Sequence, residues 1–403
     1  MFEQADKADF PLNFHWELAA VDDLKRLAVP IPKNAKQIRS LLCVVTAVLL
    51  ADRCGLRVSY SRQANFYTGA THYGLPGFTL THVRNAVAAL LAASLIEEER
   101  CPPNKRGWRS QIWATPALQL GFGGISGFRY NPVELVRLKD CNGSLIRYLD
   151  TDETIRMRTE IATLNDAWGQ LNIGYEYVDE TDDHTNLTGD VAWIDGRAVF
   201  PAKVAGYRVF NEAWGYGGRL YGPFWQQMKK QHRSRLTLNG EAVAEPDFRH
   251  IHPLLLYGRL GLDLTGDAYE VEGVNRSIAK RAWNIMINAR GEPAATRAVA
   301  DKLKVEGVYR DFEGKERFRE ARRILRQVEK RHTAISSEFY TGVGLQLQKL
   351  DAEMMLAVLG DCLADGFMSL PVHDSFVVQS TKEDRVREFM DARLSELMAK
   401  LKS

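Results

Sequence analysis

The sequence predicts an α+β protein of more than one domain, on the basis of three observations. The chain has 403 residues, which at about 100–200 residues per domain indicates two to three domains. Apolar residues make up 45% and charged residues 26%, a balance typical of globular proteins and not of disordered, collagen-like or coiled-coil chains. Helical apolar periodicity and short strand pairs occur in separate stretches, as they do in α+β folds.

The apolar runs, cysteines and charge indicate the cellular compartment and the kinds of partner to expect. The longest apolar run, Leu41–Ala51, is shorter than the roughly 20 residues needed to cross a bilayer, so it predicts a buried helix. The N-terminal residues show no basic stretch followed by an apolar one, and the five scattered cysteines form no CxxC pair. We therefore expect a cytoplasmic protein without a membrane partner. The net charge of +2 neither requires nor excludes nucleic acid, because local patches bind phosphates.

Residues 1–33 are polar and punctuated by prolines, and they are expected to form an extended N-terminal arm. Residues 34–118 contain two helical patterns and then two strands around a basic turn. The first helix runs from Asn34 to about Asp52, and Thr79 is the predicted N-cap of the second. Residues 119–149 are glycine-rich at first and are expected to be a linker.

This order of elements resembles the winged helix-turn-helix of bacterial DNA-binding proteins. The resemblance implies that the second helix enters the major groove and that the hairpin reaches the DNA backbone. The alternative is a small domain that packs within the protein and carries a solvated basic turn. The residues implied near bases are His82, Arg84 and Asn85, and those implied near phosphates are Lys105, Arg106 and Arg109.

Two segments of the C-terminal half carry residue types suited to phosphate binding. Tyr216–Gly222 has paired glycines that let the backbone approach a ligand, and Arg219 can fork onto a phosphate. Arg276–Asn288 reads as a helix whose chemistry-bearing residues are spaced by four, so that they share one face. Two cations and an amide on one face suit a triphosphate. These residues are Arg276, Lys280 and Asn284.

Two further segments each place an aspartate beside a predicted strand. Asp247 lies in Glu245–His252, at the end of an apparent strand, and Asp374 lies in a tight turn within Leu370–Val378. If the two carboxylates converge, they form the kind of site that holds two divalent ions for in-line phosphoryl transfer. Hard oxygen ligands favour Mg²⁺ over zinc.

In this order, the four segments resemble the motif series of the right-hand polymerases, which unites family A DNA polymerases with single-subunit RNA polymerases. The similarity covers about residues 205–380. Tyr216–Gly222 resembles the T/DxxGR motif, Asp247–His252 resembles motif A, Arg276–Asn288 resembles motif B, and His373–Ser375 resembles motif C.

The resemblance implies a right-hand polymerase with an antiparallel palm sheet and small fingers and thumb, acting on a DNA template and primer with nucleoside triphosphates. Its cofactor would be two Mg²⁺ ions, with Mn²⁺ as a substitute. Asp247 and Asp374 would hold the metal, and Lys280 would be the third catalytic residue, able to protonate pyrophosphate. The implied nucleotide-binding residues are Arg276, Lys280, Asn284, Asn288 and His252, and the implied nucleic-acid-binding residues are Arg219, Gln348 and His373.

The same resemblance divides residues 150–403 into subdomains. The thumb would span about 150–172, the palm about 190–270 and 340–403, and the fingers about 271–339. A strongly basic helix around Glu316–His332 falls in the fingers. A solvated charged face is the alternative interpretation of that helix.

Two departures from the family leave the choice of sugar open. His252 stands where family A DNA polymerases carry a glutamate that excludes ribose, and Asn288 stands where the superfamily carries a tyrosine. We lean toward DNA synthesis, in replication of DNA or of a mobile element, with an RNA polymerase or primase as the alternative. Two other classes stay open. One is an inactive polymerase-like DNA-binding initiator, and the other is a metal-dependent hydrolase using Asp247, His250, His252, His373 and Asp374.

Overall fold

A computed structural model of the chain describes residues 9–68, 73, 78–102, 109–121, 127–176, 190–304 and 314–402. The fold is mixed α+β, as the sequence predicts. The helices are α1 (Asp22–Arg26), α2 (Ala35–Arg53), α3 (Ala64–Thr68), α4 (Leu80–Ala92), α5 (Pro116–Gly121), α6 (Asp152–Gly169), α7 (Lys230–Arg233), α8 (Ile251–Arg259), α9 (Arg276–Asn288), α10 (Glu292–Leu303), α11 (Gly314–Arg331), α12 (Gly344–Ala364) and α13 (Glu383–Lys402).

Most of the strands are short. They are β1 (Asp9–Pro11), β2 (Trp16–Leu18), β3 (Arg57–Tyr60), β4 (Ile96–Glu99), β5 (Ser110–Ala114), β6 (Phe128–Tyr130), β7 (Val136–Lys139), β8 (Ile173–Tyr175), β9 (Ala192–Ile194), β10 (Arg197–Val199), β11 (Tyr207–Asn211), β12 (Ala213–Tyr221), β13 (Leu236–Leu238), β14 (Glu241–Ala244), β15 (Leu370–Val372) and β16 (Ser375–Gln379).

The chain folds into two compact units, and each is assembled from several stretches of sequence. The first unit comprises Met1–Arg137, Arg147–Arg208 and Tyr221–Val243. The second comprises Leu138–Ile146, Val209–Leu220 and Ala244–Ser403. This division by contacts differs from the division by predicted role, because α6, the segment expected to be a thumb, belongs to the first unit.

In the first unit, α2 and α4 form the helices expected from the sequence. Asn34 caps α2 by accepting a hydrogen bond from the Lys36 backbone N–H, and Thr79 caps α4 by accepting one from His82. The run from Ser40 to Ala51 is buried, and α2 packs against α4 and β2. A sheet of order β1-β3-β5-β4 completes this part of the unit, with β1 parallel to β3 and the other pairs antiparallel.

Two segments differ from the sequence expectation. From Asp9 onward, the predicted N-terminal arm is packed into the first unit, because Trp16, Leu24 and Leu27 bury their side chains in its core. The predicted linker of residues 119–149 contains β6, which pairs with β2, and β7, in which Val136 and Leu138 are buried. In both segments the burial of a few large apolar side chains gives the chain a packed structure despite its prolines and glycines.

In the second unit, helices surround the segments of polymerase-like sequence. Helix α8 packs against α12 and α13, and α9 packs against α10, α11 and α12. Gly258 of α8 lies against α13, where a Cβ on it would be 2.5 Å from the flexible end of the Met398 side chain. Strands β15 and β16 form an antiparallel hairpin. In the described part of the chain, no helix is both long enough and apolar enough to span a membrane.

Candidate active site

Asp247 and Asp374 lie on neighbouring backbone segments of the second unit. Asp247 forms an antiparallel bridge with Ser375, the residue after Asp374. The Phe248 N–H donates to the Asp374 carbonyl at 3.0 Å, and the Phe376 N–H donates to the Pro246 carbonyl at 3.0 Å. Residues opposite each other in such a bridge have Cα atoms about 4.5–5.5 Å apart, so the two aspartates are close neighbours.

Neither carboxylate is used to hold the fold together. The Asp247 side chain is exposed and that of Asp374 is partly exposed. Within the described ranges, no side chain forms an ion pair or hydrogen bond with either carboxylate. Two adjacent acids without a cationic partner repel each other, and a bound cation relieves that repulsion.

The turn that carries Asp374 is held in a strained but well-anchored conformation. His373 has a positive φ of 56°, and its side chain is exposed. The buried Ser375 Oγ lies 3.0 Å from both the Val372 carbonyl and Glu245 Oε1, two acceptors for its one proton. The contact with Glu245 joins the motif C turn to the segment just before Asp247, so it helps to fix the spacing of the two aspartates.

Tyr269 connects Asp374 to the cationic face of α9. Burial raises the pKa of Tyr269 to about 12, and the negative charge of Asp374 adds to the shift. Lys280 Nζ lies 5.7 Å from the centroid of the Tyr269 ring, and the Arg276 guanidinium lies 5.6 Å from it. The buried Tyr269 ring is therefore near Asp374 and also near the two cations of α9, Arg276 and Lys280.

Helix α9 presents its polar residues on one side, as its spacing predicts. Asn275 caps the helix by accepting hydrogen bonds from the Ser277 N–H and hydroxyl. Arg276 and Lys280 are exposed and Asn284 is partly exposed, while the opposite face is buried. The buried residues are Ile278, Ala279, Ala282, Trp283, Met286 and Ile287.

Arg276 is held by an aspartate that the sequence analysis did not single out. Its Nε donates to Asp267 Oδ2 at 2.6 Å, and its Nη2 lies 3.1 Å from His250 Nε2. The bond from Arg276 lowers the pKa of Asp267, and burial lowers the pKa of His250. Arg276 is thus positioned toward the loop of Asp267, and an incoming phosphate would compete with that carboxylate.

Arg219 and His252 meet at a second unexpected aspartate, Asp351 of α12. Arg219 Nε donates to Asp351 Oδ1 at 3.2 Å, its Nη2 donates to Oδ2, and His252 Nε2 lies 2.6 Å from the same Oδ2. Asp351 is only 2% exposed. Gly217 has a φ of +80°, and a Cβ there would lie 2.6 Å from Asn211 Nδ2 and 3.1 Å from the Val209 carbonyl. The glycine is therefore required for the strand course that leads to Arg219.

Asn288 and Gln348 are the remaining residues that the polymerase resemblance singled out in this unit. Asn288 Nδ2 donates to the Asn284 carbonyl at 2.7 Å, and a Cβ on Gly344 would lie 2.3 Å from Asn288 Oδ1. Asn288 therefore packs against the start of α12. Gln348 is partly exposed on α12, one turn before Asp351.

The predicted DNA-binding residues of the first unit are placed in part. On α4, Arg84 and Asn85 are exposed and His82 is partly exposed, whereas Val83, Ala86 and Val87 are buried. The Arg109 guanidinium lies 5.2 Å from the centroid of the Phe66 ring. Lys105 and Arg106 fall outside the described residues.

Sequence reasoning missed Asp267, Tyr269 and Asp351. Asp351 shares α12 with two other acids, Glu353 and Asp361, so no local pattern singled it out. Asp267 and Tyr269 lie in a loop without periodicity, so no pattern pointed to them.

The chemistry of the two aspartates fits hard divalent cations. Carboxylate oxygens are the ligands that Mg²⁺ prefers, and such sites commonly use one or two carboxylates together with substrate phosphates. Within the described ranges there is no group of three or more His, Cys, Asp or Glu side chains arranged to hold a metal ion. Of the three histidines of the alternative hydrolase, His250 contacts the carboxylate of Asp267 and His252 that of Asp351.

Comparison with known proteins adds no assignment. Neither a scan against protein-family models nor a search of curated proteins found a match to this chain.

Proposed function

We propose that this protein is a DNA-templated nucleotidyltransferase of the right-hand polymerase type, which adds nucleotides to a 3′-hydroxyl by two-metal phosphoryl transfer. The observation that carries the proposal is the backbone pairing of Pro246–Phe248 with Asp374–Phe376. It makes neighbours of two unpartnered aspartates that are far apart in sequence, and the motif B cations lie around Tyr269 beside one of them.

Each residue has a distinct part in the proposed reaction. Asp247 and Asp374 would hold the divalent ions. Such ions, when bound, favour ionisation of the attacking hydroxyl and offset the charge of the triphosphate. Arg276 would exchange Asp267 for the outer phosphates, and Lys280 would contact the triphosphate and give a proton to the leaving pyrophosphate. Most of the rate enhancement would come from positioning and charge stabilisation.

The Arg219–Asp351–His252 network would act differently from its motif counterparts. Position 252 carries an imidazole engaged by Asp351, and not the glutamate that excludes ribose in family A DNA polymerases. The preferred sugar is therefore left to measurement, with DNA synthesis as our proposal and an RNA polymerase or primase as the alternative.

The test is extension of a labelled primer on a single-stranded DNA template with Mg²⁺, run in parallel with dNTPs and with NTPs. We expect the wild type to extend the primer, and Asp247→Asn and Asp374→Asn to lose about 10²–10³-fold in rate, the size of a removed transition-state contact. The control is Asp391→Asn, an exposed aspartate of α13, which should stay within about twofold of wild type.

Two results would refute the proposal. One is incorporation by Asp374→Asn at the wild-type rate. The other is no incorporation by the wild type with either set of nucleotides, with or without primer, which would favour the inactive DNA-binding initiator.

A further inference from the structure

One face of α11 carries a stripe of cations that the proposed active site does not use. The stripe consists of Lys315, Arg319, Arg322 and Arg326, and all four side chains are exposed. Their spacing of four, three and four residues aligns them on one side of the helix. From first to last they span about 16 Å at 1.5 Å per residue.

The other cations of the same helix have structural partners. Arg323 donates to Glu320 at 2.7 Å and to the Gly273 carbonyl at 3.1 Å. Lys330 donates to Glu272 at 3.2 Å, and Arg331 donates to the Thr265 carbonyl at 2.6 Å. In the described part of the chain, by contrast, no carboxylate bonds to any member of the stripe.

Within the described ranges, therefore, no carboxylate offsets the repulsion between the cations of the stripe. Like charges four residues apart on a helix are destabilising, and Lys315–Arg319 and Arg322–Arg326 are two such pairs. An anion supplied from outside the chain would remove that repulsion. Arginine forks match phosphate oxygens in particular.

An exposed aromatic ring lies at the edge of the stripe. Phe318 is 42% exposed and stands four residues before Arg322, on the adjoining side of the helix. An open space of about 1170 Å³ lies against this side of α11, and its described lining, all from α11, includes Glu316 and Glu320 beside Phe318 and the three arginines of the stripe. A row of cations with an exposed aromatic ring beside it is a feature of single-stranded nucleic-acid binding, in which bases stack on the ring and phosphates meet the cations.

The far end of α11 is tied to the candidate active site. Arg331 donates to the carbonyls of Thr265 and Asp267, and the Asp267 carboxylate accepts from Arg276. A strand lying along the stripe would be bound by the same helix that supports the Asp267 loop.

We propose that the α11 stripe binds a single-stranded nucleic acid, with phosphates on Arg319, Arg322 and Arg326 and a base stacked on Phe318. That this strand is the unpaired template rests on the proposed function, whereas the binding itself does not.

The test measures fluorescence anisotropy of a labelled oligo-dT strand with the full chain, in EDTA and without nucleotides. The double variant Arg322→Ala/Arg326→Ala should bind at least about tenfold more weakly, and its log K against log salt slope should fall by about 1.4, or 0.7 for each lost phosphate contact. Phe318→Ala should lose about tenfold, with the slope unchanged.

The matched control is Arg387→Ala/Lys400→Ala on α13. These two exposed cations are each bonded to a glutamate of their own helix, so binding should change little. Arg319→Glu is a second stripe variant if the double variant misfolds. Asp374→Asn should bind oligo-dT as tightly as the wild type, which separates this proposal from the catalytic one.

Two outcomes would overturn the inference. One is unchanged affinity and salt slope in the folded stripe variants. The other is displacement of oligo-dT by poly-glutamate as efficiently as by unlabelled oligo-dT, together with unchanged binding by Phe318→Ala, which would assign the stripe to an acidic protein partner.

Discussion

Asp351 is a carboxylate buried within α12, and Arg219 and His252 are gathered around it. A buried charge with its partner removed is costly, whereas an exposed pair contributes little. The same helix provides both cases, because Asp361 pairs with Arg393 where the two side chains are 22% and 36% exposed.

We predict that Asp351→Ala lowers the free energy of unfolding by about 3 kcal/mol, since it leaves Arg219 without its buried partner. Asp361→Ala should cost about 0–1 kcal/mol. Urea denaturation of both variants checks the difference, and equal losses would contradict it.

His15 provides a pH-dependent contribution to stability in the first unit. Burial, with the positive charges of Arg137, Arg39 and Lys203, lowers the pKa of His15 from 6.5 to about 4. The Val133 N–H donates to His15 Nδ1 at 3.3 Å, a bond that requires the neutral ring. Folding therefore favours the neutral form.

The native pKa of His15 lies below its unfolded value, so its contribution is complete above pH 6.5 and is lost as pH falls toward 4. The loss would approach about 3 kcal/mol. We predict that His15→Gln flattens the pH dependence of the urea midpoint in this window. Identical pH profiles for wild type and His15→Gln would refute the assignment.

At the scale of elements, the part of strand β12 that leads to Arg219 depends on a glycine for two separable reasons. Gly217 combines a φ of +80° with a Cβ clash. Gly240, in the turn between β13 and β14, has a φ of +83°, and no atom of the described residues lies within 4 Å of the point that a Cβ would occupy there. Alanine at Gly240 therefore measures backbone strain alone.

We predict that Gly217→Ala lowers the melting temperature more than Gly240→Ala, with Gly240→Ala costing about 1 kcal/mol or somewhat more. The additional loss of stability in Gly217→Ala measures the clash of the new Cβ with the Asn211 side chain and the Val209 carbonyl. Equal destabilisation by the two variants would mean that the strand shifts to absorb the clash.

Elements with a strong local pattern were predictable from the sequence. The start of the first long helix near Asn34, the cap at Thr79 and the cationic face of α9 are set by residues within a few positions of one another. The partners of Arg219, His252 and Arg276 were not predictable, because each bond joins residues from different elements and no local rule selects Asp351 or Asp267. Sequence order nevertheless pointed to Asp247 and Asp374 as a pair.

For the whole molecule, the domain boundaries predicted from the sequence and the two units defined by contacts divide the chain at different positions. Residues 150–403, the predicted polymerase domain, include parts of both units and omit Leu138–Ile146 of the second. The apolar residues that draw residues 9–33 and 127–137 into the first unit are too few to stand out from their polar and glycine-rich surroundings.

We predict that a fragment of residues 150–403 does not fold cooperatively, because its residues 150–208 and 221–243 lose the rest of the first unit. Circular dichroism on heating should give a broad transition for the fragment and a sharp one for the whole chain. A sharp transition with full helical signal in the fragment would show that the predicted boundary is also a folding boundary.

The packing of α8 against α13 has a consequence for how the protein folds during its synthesis. The strand end bearing Asp247 leads into α8, and α8 is covered by the last helix through Gly258 and Met398, with Lys402 Nζ 2.5 Å from Asp263. Domains generally fold from the N-terminus during synthesis. Every residue of the candidate site is therefore translated before the helix that packs over α8, and a chain ending at Gln379 would contain all the site residues but lack that packing.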